Sequence, residues 1–325
     1  MSADGLIVVD KPGGMTSHDV VARIRRLAKT RRVGHGGTLD PMATGVLIIG
    51  VNRATRLLTY VIGSEKSYSA TIRLGESTIT DDAEGDVTSR ASTAAVADEL
   101  IRTARGRQVG EIDQVPSAVS AIKINGQRAY KRVRDGEDVE IPARRVTVHR
   151  LEVLDIRRTI VSGAGLATAG SGGSGADGVA ADPGVAGGVP VLDVIDVDID
   201  VTCSSGTYIR AIARDLGVTL GVGGHLTALR RTAVGGLTLA EASTLTELEE
   251  RAPDVVGLPM AEAAARAFPR RDASAEEARV LSHGGPLEPA GIAGPYAVFD
   301  PAGALLAIVS ERGGRAKPEI VLAPA

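Results

Sequence analysis

The chain opens on a continuous apolar run, Gly5-Leu6-Ile7-Val8-Val9, which stops at Asp10-Lys11-Pro12-Gly13-Gly14. A short run rich in β-branched residues, followed by glycine and proline, predicts a strand entering a turn. Then the period changes. Val20, Val21, Ile24, Leu27 and Ala28 recur at helical spacing behind Ser17, predicting a helix that Ser17 caps, with Arg23, Arg25, Arg26 and Lys29 on its other positions. Val46 to Val51 reads as a buried strand and Ala54 to Ile62 as a short helix packed on it. Lys66 to Leu74 alternates as a strand does. Further on, the pattern predicts a helix over Thr93–Ala104, strands near Gln108–Gln114 and Ala118–Ile124, and a short basic helix over Arg128–Arg134 containing Tyr130. Arg144 to Arg158 alternates over a long strand. The strand ending at Cys203 alternates Val/Ile with Asp, which predicts one wet, acidic face.

Ser204-Ser205-Gly206-Thr207 reads as a turn capping a helix whose first turn exposes Tyr208 and Arg210, with Ile209, Ile212, Ala213 and Leu216 as its apolar stripe. An arginine near a helix N-terminus is disfavoured by the dipole, by a few tenths to about 1 kcal/mol. An anion, carboxylate or phosphate, is the partner that would offset this; a solvated arginine is the plainer alternative. His225 to Ala242 holds an apolar, arginine-bearing run, a glycine pair and a strand. Beyond Pro253 the composition shifts, and the pattern predicts a helix at Ala275–Ser282 and strands at Tyr296–Asp300, Leu305–Ser310 and Glu319–Leu322. Two domains follow: residues 1–252, and a small β-rich domain over 256–325. Residues 162–188, nearly all Gly, Ala, Ser and Val, are too poor in large side chains to offset their ordering entropy and read as a flexible insertion.

Charge and composition narrow the function classes. A net charge of −3 is no signature of polyanion binding, but it hides a segregation. Residues 1–60 carry nine Lys/Arg against four Asp, and residues 120–150 carry eight basic against four acidic residues, whereas 159–200 hold six Asp and no Lys or Arg. That asymmetry suits a basic groove with acidic surface elsewhere, although ordinary solvated faces would give the same counts. One cysteine, Cys203, leaves no internal disulfide and reads as a buried small hydrophobe, and the five histidines lack metal-ligand spacing. No stretch approaches the roughly 18 apolar residues of a membrane span, so a soluble, cytoplasmic protein is expected.

The stretch richest in candidate chemistry is Gly34 to Leu47, GHGGTLDPMATGVL. Gly34, Gly36 and Gly37 can take positive φ, and Pro41 pushes Asp40 out of helical geometry, so the segment can hold one acid rigidly at a cleft. An Asp beside Gly and Pro commonly serves only as a local backbone acceptor. The rest of the chain tips the balance towards a catalytic carboxylate. With only five Tyr, two Phe and no Trp, each tyrosine is a candidate stacking surface for an extruded base, Tyr68 among them.

Four segments in order carry a family resemblance: DKPGGMTSHDVV, VGHGGTLDPMATGVL, EKSY with the strand after it, and SSGTYIRAIARDLG with HLTALRRTAVG. Together they resemble the TruB-type tRNA pseudouridine synthases, over about Gly5 to Gly235, and the tail resembles the PUA RNA-binding module of bacterial members. The resemblance implies an α+β pseudouridine synthase fold, with a mixed, largely antiparallel sheet, flanking helices and a central cleft, plus the PUA-like domain. It implies Asp40 as nucleophile, Tyr68 stacked on the uracil and able to serve as a base, and Arg210 paired with Asp40. His35 would help hold flipped-out nucleotides, with Lys11 and Tyr208 shaping the pocket. The implied substrate is the T-loop uridine of tRNA, bound by a monomer that needs no cofactor. Gly36, where relatives often carry Thr, and Val119, where an aromatic is frequent, depart from the pattern. Two other readings stay open: an RNA chaperone using the same groove, and a phosphate-transfer enzyme, for which the chain offers neither a metal-carboxylate cluster nor a P-loop.

Overall fold

The computed structural model describes residues 3–117, 123–124, 127–128, 141–162 and 191–323. Val119, residues 163–188 of the expected insertion and residues 129–134 of the expected basic helix, Tyr130 among them, lie outside the described residues, while Arg128 and Ser162 end strands. The elements are, in chain order, β1 (Gly5–Lys11), α1 (Ser17–Leu27), β2 (Val33–His35), β3 (Thr44–Val51), α2 (Leu58–Gly63), β4 (Lys66–Leu74), β5 (Glu76–Thr78), β6 (Val87–Arg90), α3 (Asp98–Ala104) and β7 (Gly110–Gln114). They continue with β8 (Lys123–Ile124), β9 (Gln127–Arg128), β10 (Arg144–Ser162), β11 (Val191–Cys203), α4 (Ile209–Leu220), β12 (Gly224–Val234), β13 (Leu237–Thr238), α5 (Leu245–Glu250), β14 (Leu258–Pro259) and α6 (Met260–Ala267). The tail adds β15 (Arg270–Asp272), α7 (Ala275–Ser282), β16 (Tyr296–Phe299), β17 (Leu305–Arg312) and β18 (Arg315–Val321). Ten strands belong to one mixed, mostly antiparallel sheet. No helix among the described residues is long and apolar enough to cross a membrane.

The chain divides into two compact units, one of Met1–Ser69, Thr202–Ser205 and Leu229–Ala325, the other of Ala70–Val201 and Gly206–Ala228. In the first, the strand order is β14-β1-β3-β12, with β2 added on β3 and β13 on β12. β1 and β3 pair antiparallel with Val9 opposite Leu47, and β3 meets β12 in parallel, Gly45 opposite Arg231. Their apolar runs are buried on both faces, as runs without alternation should be. The tail folds β15-β16-β17-β18 into a sheet of its own. Alternate residues serve two cores: Phe299, Leu305 and Ile308 join Leu6, Val8, Val46 and Ile48, while Tyr296, Val298 and Val309 pack with Leu281 of α7.

In the second unit β4, β11, β10 and β7 follow in order, with β7 and β10 antiparallel, Ile112 opposite Val146. The acidic face of β11 differs from expectation. Asp196 takes a bidentate pair from Arg73 (2.8 Å to each oxygen), and Asp198 accepts from Thr71 and Arg157. The alternating carboxylates therefore bind neighbouring strands instead of only facing water.

Two helix starts also move. Thr16, one residue before the expected cap, closes a reciprocal capping box with Asp19, which frees Ser17 to turn inward as the first helical residue. α3 begins at Asp98, because Thr93 is buried with its hydroxyl on the Asp193 carbonyl at 3.0 Å, outside the helix. Cys203 is buried, as expected.

Candidate active site

The Asp40 loop is held from three directions, each through its backbone. Lys11, fully buried at the end of β1, gives its ammonium to the carbonyls of Pro12 (2.8 Å), Met15 (2.7 Å) and Pro41 (3.1 Å). Ser17 both accepts from the Leu39 N–H at 2.9 Å and donates to the Leu39 carbonyl at 3.2 Å. Arg231, 1% exposed, donates Nε to the Val46 carbonyl at 2.7 Å and its terminal nitrogens to Thr38 (3.3 Å) and Gly37 (3.1 Å). Asp40 itself is half-buried. Of the three glycines expected to supply positive φ, only Gly37 does, at 106°. Gly36 has extended or right-handed backbone and a tight setting instead: a Cβ there would lie 3.0 Å from Val61 Cγ1 and 3.3 Å from Leu58 Cδ2, so those side chains would have to give by a few tenths of an ångström.

Three more side chains lie in this unit around the Asp40 loop. Tyr68, on β4, is buried, with its hydroxyl on the Arg231 guanidinium and within the field of the Asp40 carboxylate; burial pushes its phenol above the ordinary tyrosine range. His35, on β2, is half-buried, with Nδ1 shielded and without a hydrogen-bond partner. Burial, then the neighbouring His18 and Arg231, hold its imidazole below the ordinary histidine range, so it is neutral at pH 7. His18 meets it edge-on at 5.3 Å between ring centroids. Lys66 is buried and donates to the carbonyls of Ser64 (2.7 Å) and Ile62 (2.9 Å); burial and Arg231 bring its ammonium down to about 8.

Arg210 and Tyr208 belong to the other unit, at the start of α4. Arg210 is buried instead of exposed, with one terminal nitrogen 3.1 Å from Asp82 Oδ2 and 2.9 Å from the Thr80 carbonyl. Asp82, 2% exposed, is in turn fixed by the Thr80 hydroxyl (2.6 Å) and the Glu84 N–H (3.1 Å). Here is a carboxylate partner of the kind that an arginine at a helix N-terminus calls for. The helix is not capped by the SSGT turn: Tyr208 stands at the N-cap without a side-chain cap bond. The Gln114 amide clasps its backbone, accepting from the Tyr208 N–H (2.8 Å) and donating to its carbonyl (3.1 Å).

Lys11, His35, Asp40 and Tyr68 thus share one unit, and Tyr208 and Arg210 the other. Sequence reasoning missed Arg231, Asp82 and Lys66 as parts of these settings. For Arg231 a signal existed: Arg230 and Arg231 are adjacent on a strand, so they face opposite sides, and one of two arginines on a buried strand must point inward. Arg230 takes the outer position, where Asp10 receives it bidentately (2.7 and 3.0 Å). Around α1, Arg26, Lys29, Arg31 and Arg32 are exposed, while Arg23 pairs with Glu249 and Arg25 holds the Val33 carbonyl.

Known proteins match this chain throughout. Residues 25–170 match the TruB family pseudouridylate synthase (N terminal domain), 210–254 the tRNA pseudouridylate synthase B C-terminal domain, and 268–323 the tRNA Pseudouridine synthase II, C terminal. The chain is 53% identical to the tRNA pseudouridine synthase B of Arthrobacter sp. (strain FB24), covering 98% of this chain and 97% of the relative. The protein of the same name from Thermobifida fusca (strain YX) is 51% identical, over 99% of each chain. Among solved structures, a Cbf5-Nop10-Gar1 complex contains a chain that shares the fold, with a TM-score of 0.66 at 24% identity over 98% of this chain and 85% of that one. An H/ACA RNP bound to a substrate RNA containing 2'-deoxyuridine gives 0.65 at 23%, with the same coverage. With half of its residues shared end to end with such relatives, and its sequence motifs seated in the fold as described, the chain belongs to the TruB family of pseudouridine synthases.

Proposed function

We propose that the chain is a tRNA-modifying isomerase that converts the T-loop uridine of tRNA, at position 55, to pseudouridine, with Asp40 as nucleophile. The observation that carries the reading is the seat of Asp40: a glycine-turned loop fixed by two buried cations and a buried serine, with Tyr68 alongside. Preorganisation of this kind is what a reacting carboxylate needs, since small misplacements cost orders of magnitude in rate.

The reaction breaks the bond between carbon 1′ and N1, turns the uracil and joins carbon 1′ to carbon 5; carbon 5 gives up a proton and N1 gains one. A carboxylate can serve by attacking the anomeric carbon, by adding to carbon 6, or by acting on the ribose before elimination. In this reading Arg210, itself fixed by Asp82, serves Asp40 as counter-ion and sets its direction. Burial keeps the Tyr68 phenol protonated at neutral pH, so stacking on the uracil is its first role. Taking the carbon 5 proton requires Arg231 to stabilise the phenolate. Neutral His35 packs against the nucleotides extruded with the uridine, and Lys11 and Tyr208 shape the pocket. Extruding a base costs a few kcal/mol, offset by stacking and by phosphate contacts to the exposed basic residues after α1. Residues 1–252 carry the catalysis and the PUA-like residues 256–325 grip RNA towards the acceptor end, in a cytoplasmic monomer.

T-arm RNA carrying tritium at carbon 5 of its uracil tests this. The protein is expected to release tritium with turnover, and Asp40→Ala to release none while binding the RNA within about threefold of the parent, because catalysis and binding draw on different residues. Binding without any release by the parent protein would make it an RNA chaperone instead.

A further inference from the structure

Beside the Arg210–Asp82 pair lies a second charge pair between the same two elements. Arg214 follows Arg210 by one turn of α4, so the two guanidinium groups leave the same face of the helix and reach the same turn. Arg214 donates one terminal nitrogen to Asp81 Oδ2 at 3.2 Å and the other to the Val115 carbonyl at 2.8 Å, and also pairs with its neighbour Asp215 at 2.8 Å. Asp81 Oδ2 further accepts from the hydroxyl of fully buried Ser117 at 2.5 Å. Its backbone is pinned as well, with the Leu226 N–H on its carbonyl at 3.0 Å and φ at 60°. One carboxylate therefore joins the turn carrying Asp82, the helix carrying Arg210 and the segment Gln114–Ser117, whose first residue clasps Tyr208.

We propose that Asp81, with Arg214, is a positioning pair for Arg210: it converts a single-point attachment of α4 to the Thr80–Asp82 turn into a two-point one, fixing the direction of the Arg210 guanidinium. One ion pair is a pivot about which helix and turn can rotate; two pairs a helical turn apart remove that rotation. Asp81 occupies a left-handed backbone conformation, which costs a β-carbon residue energy, and it keeps a half-buried carboxylate that desolvation pushes above the usual range against the pull of Ser117 and Arg214. Both costs favour a different residue if the turn had only to be a turn.

The inference rests on the reading of Arg210 as a catalytic group. Its test is steady-state kinetics on T-arm RNA for Asp81→Asn, Arg214→Met, their double variant and Arg210→Met. Asparagine accepts the left-handed conformation, so Asp81→Asn removes charge with the turn intact. Each single variant is expected to lower kcat about 10- to 100-fold, with KM within about threefold and thermal unfolding little changed. The double variant should fall no further than either single one, as residues acting as a unit do. Arg210→Met at parental activity would overturn the catalytic reading whatever Asp81 does. An inactive Arg210→Met beside an Asp81→Asn of parental kcat would overturn the positioning role alone. So would a loss of kcat that merely tracks the loss of folded protein.

Discussion

The settings of Asp40 and of Arg210, one in each unit, solve opposite problems with opposite charges. Asp40 sits in a loop that two buried cations hold, and the bonds described for Arg231 and Lys11 on that loop run to backbone carbonyls of Gly37, Thr38, Pro41 and Val46. Arg210 donates to the Thr80 carbonyl and also to a side-chain carboxylate, Asp82, itself fixed by the Thr80 hydroxyl and the Glu84 N–H. A loop fastened through its carbonyls is indifferent to the identity of the side chains it carries, so the acid can be spent on chemistry. A cation fastened partly through a carboxylate has its direction set by a charged side chain, so the partner cannot be changed without disturbing the cation. Scaffold and chemistry are therefore separable around Asp40 and entangled around Arg210.

The strongest way to break this contrast is Lys11→Met. Methionine fills the stem but removes the donor shared by the part-buried carbonyls of Pro12, Met15 and Pro41, at about 0.5–1 kcal/mol each. Urea unfolding should show a loss of about 2 kcal/mol, and turnover per folded molecule should fall about tenfold or more as the Asp40 loop loosens. Collapse of kcat with stability intact would place the ammonium on the substrate instead of on the loop.

Ser17→Ala is a finer cut of the same kind. Ser17 exchanges two bonds with Leu39 in a buried setting, and a net hydrogen bond is worth about 1 kcal/mol. A loss of about 1–2 kcal/mol is expected in the same assay. No measurable loss would mean that the β3 ladder and the Gly37 turn hold the loop unaided.

These contacts also show what sequence could and could not convey. The Asp40 loop was legible because glycine and proline constrain a backbone wherever they occur, and β1, β3 and β4 because apolar runs and alternation survive burial. The burial of Arg210 was not legible: a helix N-terminus carrying an arginine looks the same whether water or Asp82 receives it, and Asp82 is 128 residues away in the chain. The helix Met260–Ala267 escaped because it buries only Met260, Ala263 and Ala264, and small residues give a faint period. The Ser17 cap was misplaced by one residue because Thr16 and Ser17 are both good caps, and only the inward bond to Leu39 decides which of them turns away.

The smallest effect concerns Lys66, a third cation on the Asp40 side, whose methylene end lies against Gly37. Its ammonium falls to about 8 because burial, and then the charge of Arg231, disfavour the protonated form. An unfolded chain would keep this lysine protonated to its ordinary value of 10.5. Between those two pH values the unfolded state binds the extra proton, so Lys66 makes folding more favourable as pH rises through that window and contributes no slope below it. The check is twofold. The Lys66 side-chain carbon resonance should titrate with a midpoint of about 8, well below its ordinary value of 10.5. Lys66→Met should flatten the rise in urea stability between pH 8 and 10.5 relative to the parent. A Lys66 that titrates with the exposed lysines would mean that its carbonyl partners, Ile62 and Ser64, stabilise the charge as well as water does, and the cationic side of the contrast would then extend to every basic group around the loop.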